Sequence, residues 1–369
     1  MTIYKPVKEA NYLLMDDGRL KAVVSTKSPV FNASLRCSGR EYADFFNDDE
    51  PYDRLTHVFY IESALPAGKT LTFCYTLRNH SKNVRKQSFA FEPVYADKET
   101  LLREYDSGTR PEREERETVA DGVEYTHYFC KNKEGAPVHV FSLSVDTEKA
   151  TIYTGTPEDG YMGVGVRAKV PQMIDAAVKN GVNVVAAMNG DFFDMFGDAH
   201  PAGLCVKNGR VIANEDSKRY FLGAKKDGTP VIASLAETPA LLRELEHAVS
   251  GLQLIVKDGR INDWSPLEPF AYVRHPRTAA GVTKDGKILL LEVDGRIPDY
   301  SNGATLVDLA KMMIALGADR AVNLDGGGSS VTYTKEGGRF VLRSNPADLF
   351  RPTAKLIRKE YNCILVVKF

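Results

Sequence analysis

Apolar and polar residues follow two rhythms along this chain, and the change of rhythm divides it. Before Asp106 lie short runs rich in β-branched and aromatic residues: "LKAVVST", "THVFYIES", "KTLTFCYTL" and "FAFEPVY". These predict strands of a small all-β module. The segment "DSGTRPEREERETVADG", Asp106 to Gly122, is almost devoid of apolar side chains and reads as a linker or an exposed excursion. Beyond it the texture is mixed. In "RAKVPQMIDAAVKNG", Val170, Met173, Ile174, Ala177 and Val178 recur at helical spacing, with Pro171 in the first turn and Gly181 to end it. "TPALLRELEHAVSG" predicts a second helix, capped by Thr238 and opened by Pro239. "TLVDLAKMMIALG" predicts a third, with Thr305 as cap, Asp308 near its positive end and Gly317 closing it.

Seven Asn-Gly or Asp-Gly pairs punctuate the chain, and they fall into two kinds. "VKNGRVI", "KKDGTPVI", "VKDGRIN" and "TKDGKILL" sit between short strands and predict tight hairpins that need positive φ. "VNVVAAMNGDFF", "ILLLEVDGR" and "RAVNLDGGGSS" each follow an apolar run and do not turn back at once. Such runs read as strands buried on both faces, which usually means parallel strands between helices. Ile288 to Leu324 has the length of a strand–helix–strand crossover, and parallel pairing would bring Asp294 and Asp325 to one sheet edge. The expected fold is therefore α/β, with α+β as the alternative: a C-terminal mixed sheet with flanking helices, plus an N-terminal all-β module. The expected division is 1–120 for a β-rich accessory domain, with its charged linker near 106–122, and 123–369 for the second domain.

Composition narrows the function. With 369 residues the chain is long enough for two cores. Its net charge of -1 offers no field to gather a nucleic-acid backbone. No apolar run approaches the ~20 residues that cross a bilayer. "MTIYKPVKEANYLLMDDG" has neither the basic start nor the apolar core of a signal peptide, so the chain as written reads as cytoplasmic, or as secreted or surface-bound if a leader has been trimmed away. Five scattered cysteines read as buried free thiols in a reducing compartment.

"NLDGGGSS", Asn323 to Ser330, carries the strongest hint of chemistry. One glycine suffices for a turn. Three in a row directly after a carboxylate imply that a side chain there would obstruct something, and that backbone N–H groups can turn toward an anion. Ligands of open α/β sheets bind beyond the carboxyl ends of strands.

Taken in order, "NGDFFD", "HPAGLCVKNGR", "HAVSGLQLIVKDGR", "PRTAAGVTKDGKILLLEVDGR", "SNGATLVDLAKMMIALGADRAVNLDGGGSS" and "SNPADLFRPTAKLI" resemble the phosphodiester glycosidase family. The resemblance runs from about Gly163 to Phe369 and leaves the N-terminal ~120 residues uncovered. It implies a hydrolase that cuts the anomeric carbon–oxygen bond of a sugar-1-phosphodiester, with N-acetylglucosamine as the first sugar to consider. The partner is then a carbohydrate phosphodiester or glycan. Asp325 is the first choice for nucleophile or base, with Asp191 or Asp294 as acid or to position water. Arg277 and Arg296 offer planar forks for phosphate oxygens, and the backbone of Gly326, Gly327 and Gly328 with Ser329 adds donors. Asn189, Asn323, Asn345 and Arg351 complete the expected substrate-binding set. Asn189 has the rival reading of satisfying its own turn, and Asp294 that of holding Arg296 or capping a loop. His200 and His275 flank the motifs without an assigned role. Phe192 and Phe193 read as core, while Trp264 could stack on a sugar.

No cofactor is required by this reading. A metal-dependent phosphodiesterase or other glycan hydrolase is the alternative, with Asp191, Asp294 and Asp325 holding Mg²⁺ or Ca²⁺. The chain lacks HxH and HExxH, which argues against zinc. A non-catalytic glycan-binding protein is a further alternative. A nucleotide-binding protein is weaker still, since "LDGGGSS" lacks the lysine of a phosphate-binding loop.

Overall fold

The structure is a computed structural model. It describes residues 8–16, 19–26, 31–37, 39–43, 56–61, 70–78, 84–91, 94–95, 102, 106–161, 166–193, 200–262, 271, 273–297, 299–347 and 357–369. The chain divides into two compact units. One comprises Met1–Asp106 with Ser265–Arg274, the other Ser107–Trp264 with His275–Phe369.

The first unit holds two four-stranded sheets. One contains β1 (Lys8–Asp16), β2 (Arg19–Thr26), β5 (Thr56–Ile61) and β8 (Val94–Tyr95), in the order β5-β2-β1-β8. The other contains β3 (Phe31–Cys37), β4 (Arg40–Ala43), β6 (Leu71–Arg78) and β7 (Val84–Phe91), in the order β4-β3-β6-β7. Alternation along these strands buries Ala22, Val24, Leu35, Phe59, Leu71 and Phe73 in one core.

The second unit is built on an eight-stranded sheet. Its members are β9 (Arg110–Ala120), β10 (Val123–Lys131), β11 (Pro137–Val145), β19 (Leu254–Lys257), β20 (Arg260–Ile261), β21 (Arg277–Thr283), β22 (Ile288–Val293) and β23 (Ala318–Asn323). Their order is β20-β19-β23-β21-β22-β11-β10-β9. A five-stranded sheet follows the order β12-β26-β13-β24-β25: β12 (Ala150–Gly155), β13 (Val184–Asn189), β24 (Thr332–Glu336), β25 (Arg339–Leu342) and β26 (Cys363–Lys368). A second five-stranded sheet contains β14 (Leu204–Lys207), β15 (Arg210–Asn214), β16 (Tyr220–Lys225), β17 (Pro230–Ser234) and β18 (Leu245–Ser250). All strand pairs among the described residues of this unit are antiparallel.

The expected α/β fold is therefore corrected. The described residues hold two α-helices, α1 (Val170–Lys179) and α2 (Leu306–Ala315), against this large set of antiparallel strands. The misreading has a physical source. β13 and β22 are buried along their whole length, which the sequence alone equates with parallel strands under helices. Here the same burial comes from layers. Phe141, Leu290 and Val322 of the large sheet, Met188 and Ile364 of one five-stranded sheet, and Leu222 and Val249 of the other share one core. The outer face of the β12–β25 sheet is closed by Val170, Met173, Ile174 and Ala177 of α1.

Two further local expectations change. "TPALLRELEHAVSG" makes only a short 3₁₀ turn, Pro239–Arg243, before becoming β18. β18 lies between β14 and β16, so ladders on both sides outweigh its helical spacing. The charged stretch expected as a linker or an exposed excursion forms the long, exposed edge strand β9. Charged side chains suit an edge that must not recruit another strand. The predictions for α1 and α2 hold, with Thr305 Oγ1 accepting from the Asp308 N–H at 3.1 Å. All four predicted hairpins form: β14–β15, β16–β17, β19–β20 and β21–β22. Asn208–Gly209 and Asp258–Gly259 take positive φ at both turn residues.

Acid is expected to loosen this unit through His247 of β18. Its Nδ1 accepts the Thr154 N–H at 3.2 Å, which needs the neutral ring. Burial, and next the nearby Lys207 charge, push the imidazole down to about 4. The neutral form is thus favoured by folding. Its contribution is complete above the unfolded pKa of about 6.5 and is lost as the pH falls toward about 4, amounting to up to about 3 kcal/mol. Urea midpoints measured from pH 7 to pH 4 should fall, and His247→Gln, which keeps an acceptor but takes no proton, should flatten that slope.

Candidate active site

The order of three strands brings two of the aspartates together. β22 and β23 each pair antiparallel with β21, so they run in the same direction with β21 between them. The loops carrying Asp294 and Asp325 therefore leave the same edge of the sheet, on either side of Arg277 at the start of β21. The edge expected from parallel neighbours is reached through an antiparallel sheet.

β13 delivers Asn189 to this edge from the other sheet. The Asn189 Oδ1 accepts from the Thr278 hydroxyl at 2.8 Å and the Val331 N–H at 3.3 Å, and its Nδ2 donates to the Asp325 carbonyl at 2.7 Å. This one buried amide joins β21, the strand leading into β24 and the glycine turn. Next along, Gly190 accepts the Asp325 N–H at 3.1 Å. A Cβ on Gly190 would lie 2.2 Å from the Asn362 Oδ1, so only glycine passes there.

Two of the three glycines of "LDGGGSS" answer to their neighbours. A Cβ on Gly326 would lie 2.7 Å from the Pro276 carbonyl oxygen. Gly327 takes φ +61°, and a Cβ there would come within 3.0–3.3 Å of the Arg296 guanidinium. The Gly326 N–H donates to the Asp325 Oδ1 at 2.9 Å, and the Gly327 N–H to the Pro276 carbonyl at 2.8 Å. These two N–H groups turn inward. The turn's main effect is to let a guanidinium lie against bare backbone beside a carboxylate. Gly328 and Ser329 are buried in the 3₁₀ turn that follows.

Charges gather around Asp325. Burial raises its carboxyl above the usual range, while the Ser329 hydroxyl, Arg358, the Gly326 N–H and Arg296 pull it back. Arg358 Nη1 also donates to the Ser329 Oγ at 3.5 Å. Asp191 is buried, its Oδ2 accepts the Gly203 N–H at 3.0 Å, and Arg219 Nη1 stands 4.0 Å from Oδ1. Burial holds Asp191 well above the ordinary range against the pull of Arg219, and the charge of Asp325 adds to the rise. Glu360 is raised in the same way, by burial first and then by Asp325.

Asp294 has a different setting. Its carboxylate accepts the Tyr300 hydroxyl at 2.9 Å and the Asn345 N–H at 2.9 and 3.1 Å. It clamps the Asn345 loop and lies beside Glu292, whose carboxyl is raised well above the ordinary range by burial and by Asp294. Arg277 is buried and its Nε donates to the Ala304 carbonyl at 3.1 Å. The Asn323 Oδ1 accepts the Gln253 N–H at 2.8 Å, fixing the entry to β19. Arg351 and Trp264 lie outside the described residues. Phe192 lies under the Arg219 guanidinium, 5.5 Å from it.

Among the described residues, no group of three or more His, Cys, Asp or Glu side chains converges as a metal site, and Asp294 is committed to Tyr300 and Asn345.

Four residues here went unnoticed in the sequence: Arg219, Arg358, Glu360 and Asn362. A weak signal exists for two. In "RKEYNCILVVK", Glu360 and Asn362 alternate with Tyr361 and Cys363 at the mouth of a buried strand, placing two polar groups on one face. Arg219 carries no such signal.

A family model for phosphodiester glycosidases matches residues 182–364. The mouse (Mus musculus) N-acetylglucosamine-1-phosphodiester alpha-N-acetylglucosaminidase is 28% identical over 207 residues, 52% of this chain and 38% of the mouse protein. The chain thus spans well under half of that relative's length. The zebrafish catalytic domain of the same name, solved in a form auto-inhibited by its pro-peptide, superposes with a TM-score of 0.53 at 20% identity, over 70% of this chain and 88% of that one. A hypothetical protein from Synechocystis gives 0.52 at 12% identity, over 100% of this chain and 80% of that one. These two likenesses speak to the fold. The family match places residues 182–364 in the phosphodiester glycosidase family.

Proposed function

We propose that the chain hydrolyses the glycosidic bond of a sugar-1-phosphodiester, with an N-acetylglucosamine phosphodiester as the first substrate to try. One observation carries the reading. Asp325 sits on a glycine turn with the Arg296 guanidinium against Gly327 and the Arg358 guanidinium beside Ser329. Such a site offers a carboxylate to an oxocarbenium-like carbon and two cations to a diester anion. Asp325 serves as nucleophile or as base toward water. The leaving phosphate is already a weak base, so strong acid assistance is not demanded. The named activity of the mouse relative supports the choice of sugar.

The test is incubation with an α-N-acetylglucosamine-1-phosphodiester while free reducing sugar is measured. Release of sugar with a phosphomonoester supports the reading. Appearance of sugar-1-phosphate would mean that a phosphorus–oxygen bond is cut, and would sink it. Binding without turnover across a panel of sugars would favour the glycan-binding alternative.

A further inference from the structure

Glu360 stands behind Asp325 and has no part in the function just proposed. It is 1% exposed. The Gly190 N–H donates to its carboxyl, and the Gly190 carbonyl accepts the Asp325 N–H at 3.1 Å. A single residue, through the peptide groups on its two sides, thus joins the two acids. That residue cannot shift freely, because Asn362 packs where a Gly190 side chain would be. The Glu360 Oε1 has no hydrogen-bond partner. An ionised carboxylate in such a place would leave most of its acceptor sites empty, out of water and close to a second carboxylate. A neutral acid needs far less: one oxygen accepts the Gly190 N–H and the other carries the proton.

We propose that Glu360 is a positioning residue that works in its protonated form, fixing Gly190 and through it the backbone of Asp325. The inference rests on Asp325 being the reacting carboxylate. The groups facing Glu360 agree with the assignment. Asp325 opposes a second negative charge, and Arg358 favours one but is shared with Asp325 and Ser329. Tyr333 and Cys363, whose protons burial also holds in place, add no positive charge. Ionisation of Glu360 would set two carboxylates against each other across one residue. A group whose proton is favoured by folding stabilises at low pH and loses that contribution as the pH rises through its folded value. Both the fold and the alignment of Asp325 should therefore weaken on the alkaline side.

Glu360→Gln and Glu360→Ala, compared with the wild type, test this. Glutamine imitates the neutral acid and keeps an acceptor for Gly190. Its kcat should stay within about threefold of wild type, and the alkaline fall in both kcat and urea midpoint should flatten. Alanine leaves the Gly190 N–H unpaired, and kcat should drop about 10- to 100-fold with little change in KM. Amide resonances of Gly190 and Asp325 in selectively ¹⁵N-labelled protein should move in the alanine variant and stay in place in the glutamine variant. Equal, severe loss of kcat in both variants would mean that the proton itself is transferred, overturning a positioning role. Unchanged amide resonances in the alanine variant would overturn it as well. The resonances and the pH dependence of the urea midpoint need no substrate. A wild type that releases no sugar would thus count against the proposed reaction, while these two readings still judge Glu360.

Discussion

Asp325→Asn is expected to lower kcat for sugar release by about a thousandfold or more, close to 4 kcal/mol of transition-state stabilisation, while the protein stays folded. The asparagine is nearly isosteric and can still accept the Gly326 N–H that now reaches Oδ1 at 2.9 Å. It cannot attack an anomeric carbon, take a proton from water or stabilise positive charge there. Stability should not suffer, because burial is the largest influence on this carboxyl and acts against its charged form. The same setting predicts the acid side of the pH profile. Asp325 must be ionised to act, and its carboxyl is raised, so activity should fall with acid earlier than for an ordinary carboxylate. Steady-state kinetics on the phosphodiester, with thermal unfolding as a control for folding, check both statements. Full activity in the variant would move the reacting carboxylate elsewhere, with Asp191 the next to test.

The second large effect lies away from the site. Asp159→Ala is expected to destabilise the protein by about 3–5 kcal/mol, because it strands a buried cation. The Lys207 side chain is 1% exposed. Its Nζ donates to the Thr154 carbonyl at 3.1 Å, the Thr156 hydroxyl at 3.0 Å and the Asp159 carboxylate at 2.5 Å, and it lies over the Tyr153 ring. Asp159 also accepts from the Tyr153 hydroxyl and the Asn180 amide, linking the end of β12 to the residue that caps α1. Glu158 and Asp159 both sit at φ 56°, a conformation that needs such anchoring. Urea unfolding at constant m should show the loss. Pairing Asp159→Ala with Lys207→Met removes the unpaired charge and should recover much of it, since buried pairs replaced by apolar groups often cost little. A single variant as stable as wild type would show that Lys207 simply sheds its proton. Burial already lowers its pKa.

What the sequence determined by itself is local. Asn208–Gly209 and Asp258–Gly259 dictated hairpins because few residue pairs tolerate two positive φ angles in succession. α1 and α2 were legible from spacing, from Pro171 and from the Thr305–Asp308 cap. The glycine run after Asp325 marked a place where backbone and a neighbour come too close for a side chain, and the structure names those neighbours as Pro276 and Arg296. Tertiary structure alone decided the rest. A strand buried on both faces reads the same whether a helix or another sheet covers it, so β13 and β22 suggested an α/β fold where stacked antiparallel sheets exist. β18 shows the same limit, since its two partner strands come from outside the segment. Asp191, Asp294 and Asp325 looked alike in sequence. The fold gave the first a distant arginine, the second a tyrosine and a loop amide, and the third a ring of guanidinium and hydroxyl groups. Glu360 and Arg358 reach that ring from the far end of the chain. Backbone preference acts over a few residues, whereas burial and charge depend on whichever segments packing brings alongside.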